Sequence, residues 1–551
     1  MEQSSILFYL PVHFPSSSRR ETMPVSLPSS AHNQRRGLLR AVGTISFYTL
    51  LSRILGFIRD IVIARGFGAG MGADAFFVAL KLPNFLRRLF AEGAFSTAFV
   101  PVFADYLAAG DTQQTQRAAQ AIFTQLLLVL MVIVALAQLF MPWLIMAAAP
   151  GFLDQPDKYQ LTVDLTRITF PYILFISLVA LAGGILNSHQ RFAVPAATPM
   201  LLNLSLIGAA LFLTPYVERP AEALAWGVFL GGAAQLLVQW PALKQIGFTV
   251  RLRWEPKHSA IGRILRLMGP SILGVSVAQV NLLFDILLAS FLSSGAISYL
   301  YYADRLVEFP LGLIGIAMGT AILPALSAHA AKNDDAALNH DLDFALRLIF
   351  LINLPAMVGL IMLREPILAL LFERGAFGSE TTHLTGNALF AYAMGLMAFA
   401  SVKVLAPAFY ARKDTKTPVR IAIICMITNM FLNVILMFPL GYVGLALATT
   451  LSSYLNMLLL LRALKKRTGF KPHGGFFKVL LKGTLATMMM AAGIWAMHGH
   501  VWPHGGDVTT TQRAVALLPT IGVGVALFLL TAWLLKLEEL QMLVGLLKRK
   551  K

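Results

Sequence analysis

The sequence predicts an all-α polytopic membrane protein, and three of its properties carry that prediction. Of its 551 residues, 57% are hydrophobic and only 13% are charged, whereas a soluble domain carries about 25% charged residues. Apolar runs of about 20 residues, the length that crosses a bilayer as a helix, recur along most of the chain. Lys and Arg concentrate in alternate connections between these runs. We therefore expect lipid to be the main solvent of this chain.

Fourteen apolar runs are expected to cross the membrane as helices. They lie near residues 41–66, 73–104, 119–146, 160–187, 194–214, 221–242, 265–292, 297–328, 342–363, 384–410, 418–438, 441–463, 479–498 and 513–535. The segment 364–382 is apolar in part, but Pro366, Glu373 and Gly375 interrupt it. We expect this segment to form an interfacial loop or a half-helix rather than a further span.

The basic residues predict the orientation of the spans. Connections after even-numbered spans are rich in Lys and Arg, for example at Lys244 and Arg251 after the sixth span and at Arg412 and Lys413 after the tenth. The odd-numbered connections hold few: Lys158, Arg219, Arg364, Arg374 and Arg513. Because cytoplasmic loops retain Lys and Arg, both termini are expected to be cytoplasmic. The net charge of +18 then reflects this orientation, and no nucleic-acid partner is expected.

Two stretches of the chain resemble one another at an offset of about 220 residues, which indicates an internal repeat. One begins at Thr198-Pro199 and the other at Thr417-Pro418. Six spans fit into this period, and an even number keeps both halves in the same orientation. We expect two pseudo-symmetric six-helix lobes followed by two further helices, with a substrate site between the lobes.

This organisation divides the chain into four predicted parts. Residues 1–36 are rich in Ser and Pro and are expected to be a disordered extension, with Met23 as an alternative start. Residues 37–248 form the first lobe and residues 249–472 the second. Residues 473–551 hold the last two spans and a basic cytoplasmic tail.

Several arginines lie within the predicted spans, where a charge costs free energy and is therefore a candidate for function. Arg53 and Arg59 lie in the first span, Arg87 in the second and Arg305 in the eighth. Asp60 is expected to be a local counter-ion, but the buried arginines outnumber the acids near them. A guanidinium stays protonated when buried and grips phosphate oxygens with two parallel N–H groups. We therefore expect a cationic cavity for an anion, most plausibly a diphosphate, although an anionic drug fits the same pattern.

Other polar and charged side chains share helix faces with these arginines. Their spacing, three, four or seven residues along a helix, places them on the same side. We expect them to form a secondary part of the cavity: Ser52, Lys81, Arg88, Glu92, Asp304, Glu308 and Lys403. The alternative is that such charges pair internally or extend to the membrane surface.

A set of oxygen-bearing residues is a candidate Na⁺ site. Asp285 lies in the seventh span, Asn429 and Asn433 share a face of the eleventh, and Thr449 lies in the twelfth. Na⁺ is a hard cation and requires oxygen ligands. Hydrogen bonding between helices explains the Asn and Thr residues equally well, so both interpretations stay open. No other cofactor is expected, since the chain has a single cysteine, Cys425, and no ATPase phosphate-binding loop.

Three groups of motifs resemble the MurJ (MviN) family of lipid II flippases. The first two spans contain Ser52-Arg53 to Arg59-Asp60, Asp74-Ala75-Phe76-Phe77 and Lys81-Leu82-Pro83-Asn84, with Arg87-Arg88 following. The second half contains Tyr301-Tyr302-Ala303-Asp304-Arg305-Leu306 and Lys403-Val404-Leu405-Ala406-Pro407. The resemblance runs from about residue 37 to the end, whereas residues 1–36 have no counterpart.

The resemblance implies a flippase of the MOP exporter superfamily in the bacterial inner membrane. Its substrate would be lipid II, an undecaprenyl-diphosphate carrying a disaccharide-pentapeptide, moved from the cytoplasmic to the periplasmic leaflet by alternating access. The family's essential cavity arginines fall on Arg53, Arg59, Arg87 and Arg305, and Asp74 falls on a functionally important acidic position. Spans thirteen and fourteen would help to form a groove for the lipid tail. Some members bind Na⁺ in the second lobe, at a spacing similar to that of the candidate site. Cell-division or cell-wall synthesis proteins are further candidate partners.

Two other functions fit parts of the pattern. Another exporter of the same superfamily, such as a polysaccharide-lipid flippase or a drug/cation antiporter, would share the fold, but excess arginine disfavours cationic drugs. A membrane-bound glycosyltransferase would need catalytic acids on a sizeable aqueous loop, and no connection is long enough for such a domain. We therefore expect a transporter rather than an enzyme.

Overall fold

A computed structural model describes residues 30–472, 474–501 and 508–539, and these residues are helical with no β-strand among them. The predicted extension 1–36 lies outside the described residues apart from 30–36, which begin the first helix. In chain order the α-helices are α1 (Ser30–Phe67), α2 (Met71–Leu86), α3 (Ser96–Ala108), α4 (Thr112–Leu139), α5 (Met141–Ala148), α6 (Pro156–Thr169), α7 (Tyr172–Ser188), α8 (Ala193–Gly208), α9 (Pro220–Gln245), α10 (Ser259–Ala289), α11 (Ala296–Pro310), α12 (Ala317–Ala331), α13 (Asp335–Met362), α14 (Arg364–Leu371), α15 (Ser379–Ala393), α16 (Leu396–Ala411), α17 (Lys416–Leu440), α18 (Tyr442–Thr468), α19 (Gly474–Val501) and α20 (Thr510–Leu534).

The apolar helices confirm that this is an α-helical polytopic membrane protein. Within the described ranges, nine helices are long and apolar enough to cross a membrane, or ten if the bent pair α15 and α16 counts as one span. Four predicted spans are also helical but do not meet the combined criterion of length and hydropathy. They lie near 41–66, 73–104, 265–292 and 297–328. All four carry candidate charged residues, which lower their apolar character. A total of fourteen spans therefore stays a prediction.

In the part of the chain that the structure describes, three π-helical stretches interrupt the α-helices, at Arg87–Phe95, Ala209–Leu213 and Leu311–Ile316. The first follows Pro83 by one turn, and the third follows Pro310 directly. Proline lacks a backbone N–H and therefore interrupts the regular backbone hydrogen bonds of an α-helix. A π-helical turn accommodates this change in hydrogen bonding and rotates the side chains that follow it. Candidate residues therefore lie beside local irregularities, where π-bulges are often functional.

The described chain folds as two compact units. The first contains residues 30–63, 78–145 and 160–279, and the second contains residues 64–77, 146–159 and the described residues from 280 onward. The predicted lobe boundaries at residues 248 and 472 stay predictions.

An aromatic stack organises the core of the first unit. Phe95, Phe99 and Phe103 follow one another at four-residue spacing, and successive ring centres lie 5.4 and 5.2 Å apart. The spacing places all three rings on one helix face. They are buried among residues of α4, α7 and the segment that follows α9.

Two apolar clusters organise the second unit. One joins α12, α13, α16, α17 and α18, with Leu342 and Ile349 fully buried on α13. The other joins α13 and α14 to α19 and α20, and it buries Met490 and Ile494 of α19 and Leu517 of α20. The last two long helices of the described chain thus belong to the second unit through α13.

The end of α1 contacts a glycine turn within the second unit. Gly68 and Gly375 have φ of +58° and +59°. Residues with a Cβ rarely adopt this left-handed backbone conformation, whereas glycine adopts it readily. The backbone nitrogen of Ala376 donates to the carbonyl of Arg65 at 2.9 Å. A Cβ at Gly375 would lie 2.4 Å from that same carbonyl oxygen, and one at Gly68 would lie 2.3 Å from the carbonyl oxygen of Ala376. Glycine is therefore required on both sides of this contact.

Candidate functional site

In the first unit, Arg59 is buried in a polar cluster between α1 and α8. Its Nε and Nη2 donate to Oδ1 of Asp60 at 3.0 and 2.7 Å, and its Nη1 donates to Oδ1 of Asn203 at 3.0 Å. The amide of Asn203 in turn donates to the backbone carbonyl of Ser52 at 3.0 Å. Ser52 and Arg59 lie on one face of α1 because they are seven residues apart. Asp60 therefore compensates the charge of Arg59, and Asn203 fixes the guanidinium between two helices.

Arg53 contrasts with Arg59 on the same helix. Its side chain is exposed, whereas Arg59 is 6% exposed. Among the residues that the structure describes, no carboxylate forms an ion pair with Arg53. Its guanidinium is therefore available to bind an anion without first breaking an internal contact.

Arg87 begins the π-helical stretch Arg87–Phe95 and is half-buried. Its Nε donates to Oδ1 of Asn84 at 3.0 Å, and the amide of Asn84 donates to the carbonyl of Leu80 at 2.9 Å. This chain of hydrogen bonds orients the guanidinium from the preceding turn of α2. Lys81 and Arg88 are also half-buried on this segment, and the side chain of Glu92 lies outside the described part of the chain.

In the second unit, α11 carries Arg305 and Glu308 as an ion pair. Nη1 of Arg305 donates to Oε2 of Glu308 at 2.9 Å, and the guanidinium carbon lies 4.8 Å from the ring centre of Tyr301. Asp304 is exposed on the same helix, and Lys403 is half-buried on α16. The ring of Tyr301 and the carboxylate of Glu308 thus both contact the Arg305 guanidinium and orient it.

Asp74 is 1% exposed, and both of its carboxylate oxygens are hydrogen-bonded within the second unit. Oδ1 accepts from the backbone nitrogen and the hydroxyl of Ser298 at 3.0 and 2.7 Å. Oδ2 accepts from the backbone nitrogen of Gly295 at 2.7 Å and from Nζ of Lys158 at 2.8 Å. Lys158 is also 1% exposed, and its Nζ lies 4.3 Å from the ring centre of Phe152. Asp74 therefore caps the first turn of α11, the helix of Arg305, and Lys158 compensates its charge.

The residues predicted for Na⁺ lie together between α10, α17 and α18. Nδ2 of Asn433 donates to Asp285 at 2.7 Å and to Oδ1 of Asn429 at 3.1 Å. Nδ2 of Asn429 reaches Oγ1 of Thr449 at 3.5 Å. Asn281, which sequence reasoning missed, donates to Asp285 at 3.3 Å from one helical turn away.

Spare oxygens in this cluster fit a hard cation. Oδ1 of Asn433 and Oδ1 of Asn281 are buried and accept no hydrogen bond, although buried polar atoms are usually satisfied. With the Asp285 carboxylate they offer three oxygen-bearing groups of the kind that Na⁺ prefers. Across the described ranges, no group of three or more His, Cys, Asp or Glu side chains is arranged for a metal ion. A cation here would therefore depend on amide and hydroxyl oxygens.

Besides Asn281, the polar residues Asn203, Asn84 and Lys158 at these sites were not singled out by sequence reasoning. Asn203 is an amide inside the apolar run 194–214, and its unusual polarity there was the available signal. Lys158 is an exception to the charge asymmetry between connections. Asn203 and Asn84 orient predicted arginines. Lys158 compensates the charge of Asp74.

Comparison with known proteins gives consistent findings. A family model described as lipid II flippase MurJ matches residues 63–516. The probable lipid II flippase MurJ of Vibrio cholerae serotype O1 is 43% identical over 528 residues, which cover 92% of this chain and 98% of the relative. The lipid II flippase MurJ of Burkholderia cenocepacia is 40% identical over 458 residues, covering 82% and 89%.

Solved structures give the same picture of the fold. A lipid II flippase MurJ in an inward closed conformation is similar with a TM-score of 0.74 and 30% identity, covering 89% of this chain and 97% of that one. An inward-facing MATE family multidrug transporter of the MOP superfamily is similar with a TM-score of 0.62 and 16% identity, covering 78% and 98%. At that identity the second likeness shows the fold alone.

Proposed function

Because this chain belongs to the lipid II flippase MurJ family, we propose that it moves lipid II from the cytoplasmic to the periplasmic leaflet of the bacterial inner membrane. The family match over residues 63–516 is the observation that carries this conclusion. The activity is transport of an intact lipid rather than chemical conversion, so the protein is a transporter and not an enzyme.

The proposed substrate contacts are the arginines of the spans. Lipid II carries a diphosphate, and guanidinium groups bind phosphate oxygens through charge-assisted hydrogen bonds. Arg53 is exposed and has no ion-pair partner within the described chain, which supports a direct contact with the diphosphate. Arg59, Arg87 and Arg305 are proposed to contribute as well, each held in place by neighbours: Asp60 and Asn203, Asn84, and Glu308 with Tyr301.

Asp74 is proposed to act through α11 rather than by touching the substrate. Its oxygens already accept four hydrogen bonds from Lys158, Gly295 and Ser298, so a further anion near it would be repelled. The carboxylate instead fixes the start of the helix that carries Arg305. Asp74 is therefore a positioning residue in this proposal.

The proposed architecture has fourteen spans in two six-helix lobes followed by two further helices, with both termini in the cytoplasm. The concentration of Lys and Arg in even-numbered connections supports this orientation. Transport would proceed by alternating access, in which the headgroup enters from one side and leaves from the other while the polyprenyl tail stays in lipid.

A depletion-rescue experiment tests the function. Cells depleted of their own flippase would express this chain or a variant in which Arg53, Arg59, Arg87 or Arg305 is replaced by Ala. We expect the parent chain to restore growth and to prevent accumulation of the lipid-linked precursor, and the variants to fail in part or entirely. Full rescue by all four variants would contradict the proposed site, and failure of the well-expressed parent chain would contradict the proposed function.

Na⁺ binding at Asp285, Asn281, Asn429, Asn433 and Thr449 is a second proposal about this chain. The unsatisfied amide oxygens of Asn281 and Asn433 support it. A bound Na⁺ would supply positive charge beside the Asp285 carboxylate. We expect NaCl to raise the melting temperature of the purified protein more than KCl does, and Asp285→Asn to abolish the difference. Equal effects of the two salts on the parent protein would contradict Na⁺ binding.

A further inference from the structure

A cavity lined by charged residues lies in the second unit, apart from the residues described so far. It has a volume of about 140 Å³ and is lined by His340, Asp343, Phe344, Arg347, Glu538 and Glu539. The first four residues lie on the first turns of α13, and the two glutamates follow the end of α20. The apolar part of α19 begins at Gly475, beside Arg347, and α20 ends at Leu534. The cavity therefore lies where three long helices reach the membrane boundary.

Arg347 is held between two buried carboxylates at this cavity. Its Nη2 pairs with Oδ2 of Asp343, and its Nη1 lies 3.6 Å from Oε1 of Glu539. The side chains of Asp343 and Glu539 are 3% and 5% exposed. A Cβ on Gly475 would lie 2.7 Å from Nη1 of Arg347, so the backbone of α19 also confines the guanidinium.

Two of the residues that line the cavity each carry a buried polar atom without a hydrogen-bond partner. Nε of Arg347 and Oε2 of Glu539 are both buried, and neither makes a hydrogen bond. Burying such groups without partners costs free energy, so they are a sign of a ligand with complementary groups. The ligand must donate to a carboxylate and accept from a guanidinium N–H.

The charges of the lining residues narrow the chemical class of the ligand. Among the described residues, three carboxylates line it beside one guanidinium and one imidazole, although the chain as a whole carries a net charge of +18. A group that donates to Glu539 in this acidic setting should be a cation, most simply an ammonium with several N–H donors. The group that accepts from Arg347 should be an anion such as a phosphate oxygen. Phe344 provides an apolar wall for the carbon atoms between the two.

We propose that this cavity binds the phosphoethanolamine headgroup of a membrane phospholipid. The ammonium would donate to Glu539 and its acidic neighbours, and a phosphate oxygen would accept from Nε of Arg347. Phosphatidylethanolamine presents both groups a few ångströms apart, and its headgroup lies at the membrane boundary where the cavity is found. Phosphatidylcholine has the same phosphate but no N–H donor, and phosphatidylglycerol has no ammonium. The site would fix α13 to the segment after α20 in a lipid-dependent way.

Native mass spectrometry of the full-length protein in detergent, without lipid II, tests this proposal. The protein would be titrated separately with phosphatidylethanolamine, phosphatidylcholine and phosphatidylglycerol of the same acyl chains, and soluble phosphoethanolamine would be added as a competitor. We expect phosphatidylethanolamine to bind roughly tenfold more tightly than the other two lipids, the effect of one charge-assisted hydrogen bond. Competition by phosphoethanolamine would assign the preference to the headgroup, and its failure would overturn a headgroup site.

Variants test whether the preference for phosphatidylethanolamine arises at this cavity. Glu539→Gln should remove it, whereas Glu380→Gln, which changes an exposed glutamate that does not line the cavity, should retain it. If Glu539→Gln does not yield folded protein, Gly475→Ala displaces the Arg347 guanidinium without changing any charge, and it should weaken the preference too. Equal binding of the three lipids by the parent protein, or an undiminished preference in a folded Glu539→Gln or Gly475→Ala protein, would overturn the proposal. Because lipid II is absent, these results are independent of the transport function.

Discussion

Asp74 and Ser298 are joined by two hydrogen bonds to one carboxylate oxygen, from the backbone nitrogen of Ser298 at 3.0 Å and from its hydroxyl at 2.7 Å. The residue that caps α11 is thus distant in the sequence, while the local cap position is Gly295 in the left-handed conformation. A glycine there has no side chain to satisfy the first N–H groups of the helix. The position of α11, and of Arg305 two turns further along, therefore depends on Asp74.

Removing the positive partner of Asp74 should destabilise the protein strongly. Lys158→Met would leave a fully buried carboxylate without its counter-charge, and breaking such a pair costs about 3–5 kcal/mol. Asp74→Asn combined with Lys158→Met removes both charges, so we expect the double variant to be more stable than the sum of the two single changes predicts. Thermal unfolding of the four proteins in detergent measures this coupling. Strictly additive changes would show that the two side chains do not interact.

Arg53 and Arg59 should respond differently to substitution by Ala. Arg53→Ala removes an exposed side chain, so stability should change by about 0.5 kcal/mol or less. Transport should fall by about tenfold or more, because one charge-assisted contact with phosphate contributes about 1.5–3 kcal/mol. Arg59→Ala should lower both transport and stability, because it removes the guanidinium that pairs with the buried Asp60 carboxylate.

The matched control for Arg53 is Arg65→Ala, which removes another exposed arginine from α1. Rescue of flippase-depleted cells and melting temperature in detergent are measured for all three variants. If Arg53→Ala impairs rescue no more than Arg65→Ala does, a direct role of Arg53 in binding the diphosphate is ruled out.

Gly375 should tolerate no side chain. Gly375→Ala introduces a Cβ in the left-handed region, at a strain of about 1–2 kcal/mol, and directs it at the carbonyl oxygen of Arg65. Gly378→Ala is the control, since Gly378 has a negative φ and no atom near its added Cβ. We expect a clear fall in melting temperature for the first variant and little change for the second. Equal melting temperatures would mean that the turn around Gly375 does not constrain the end of α1.

Asp414 should contribute stability that is lost in acid. It lies between α16 and α17, outside the spans. Partial burial opposes its ionisation, but hydrogen bonds from Thr417 and the charge of Arg467 together hold the pKa of Asp414 below its usual range. Its contribution is therefore complete above the unfolded pKa of about 3.9 and is lost as pH falls through the lower folded value. The difference in melting temperature between the parent and Asp414→Asn should be constant above about pH 5 and shrink below about pH 4. A difference that grows in acid would contradict this.

The sequence predicted the membrane class and most of the long helices, because these depend on local composition and helical periodicity. It did not predict the partners of the charged residues. Asn203 lies 144 positions from Arg59, and Lys158 lies 84 positions from Asp74. Such contacts are fixed by packing between distant helices, and periodicity along one helix carries no information about them.

Three of the five exceptions to the charge asymmetry now have a structural explanation. They are Lys158, Arg219 and Arg513, which lie in odd-numbered connections. Each is ion-paired in the structure, Lys158 with Asp74, Arg219 with Asp164 and Glu222, and Arg513 with Glu373. A basic residue that forms an ion pair inside the protein has a structural reason to be there. Its position therefore does not count as evidence for the orientation of the spans.

The distribution of lipid II between the two leaflets is the most direct measurement of the central claim. In cells depleted of their own flippase and expressing this chain, a membrane-impermeant reagent would report the fraction of lipid II exposed at the outer leaflet. The account predicts that the parent chain restores this fraction and that Arg53→Ala, expressed at the same level, does not. Lipid II that stays inaccessible with a well-expressed parent chain, or that becomes fully accessible with Arg53→Ala, would contradict it.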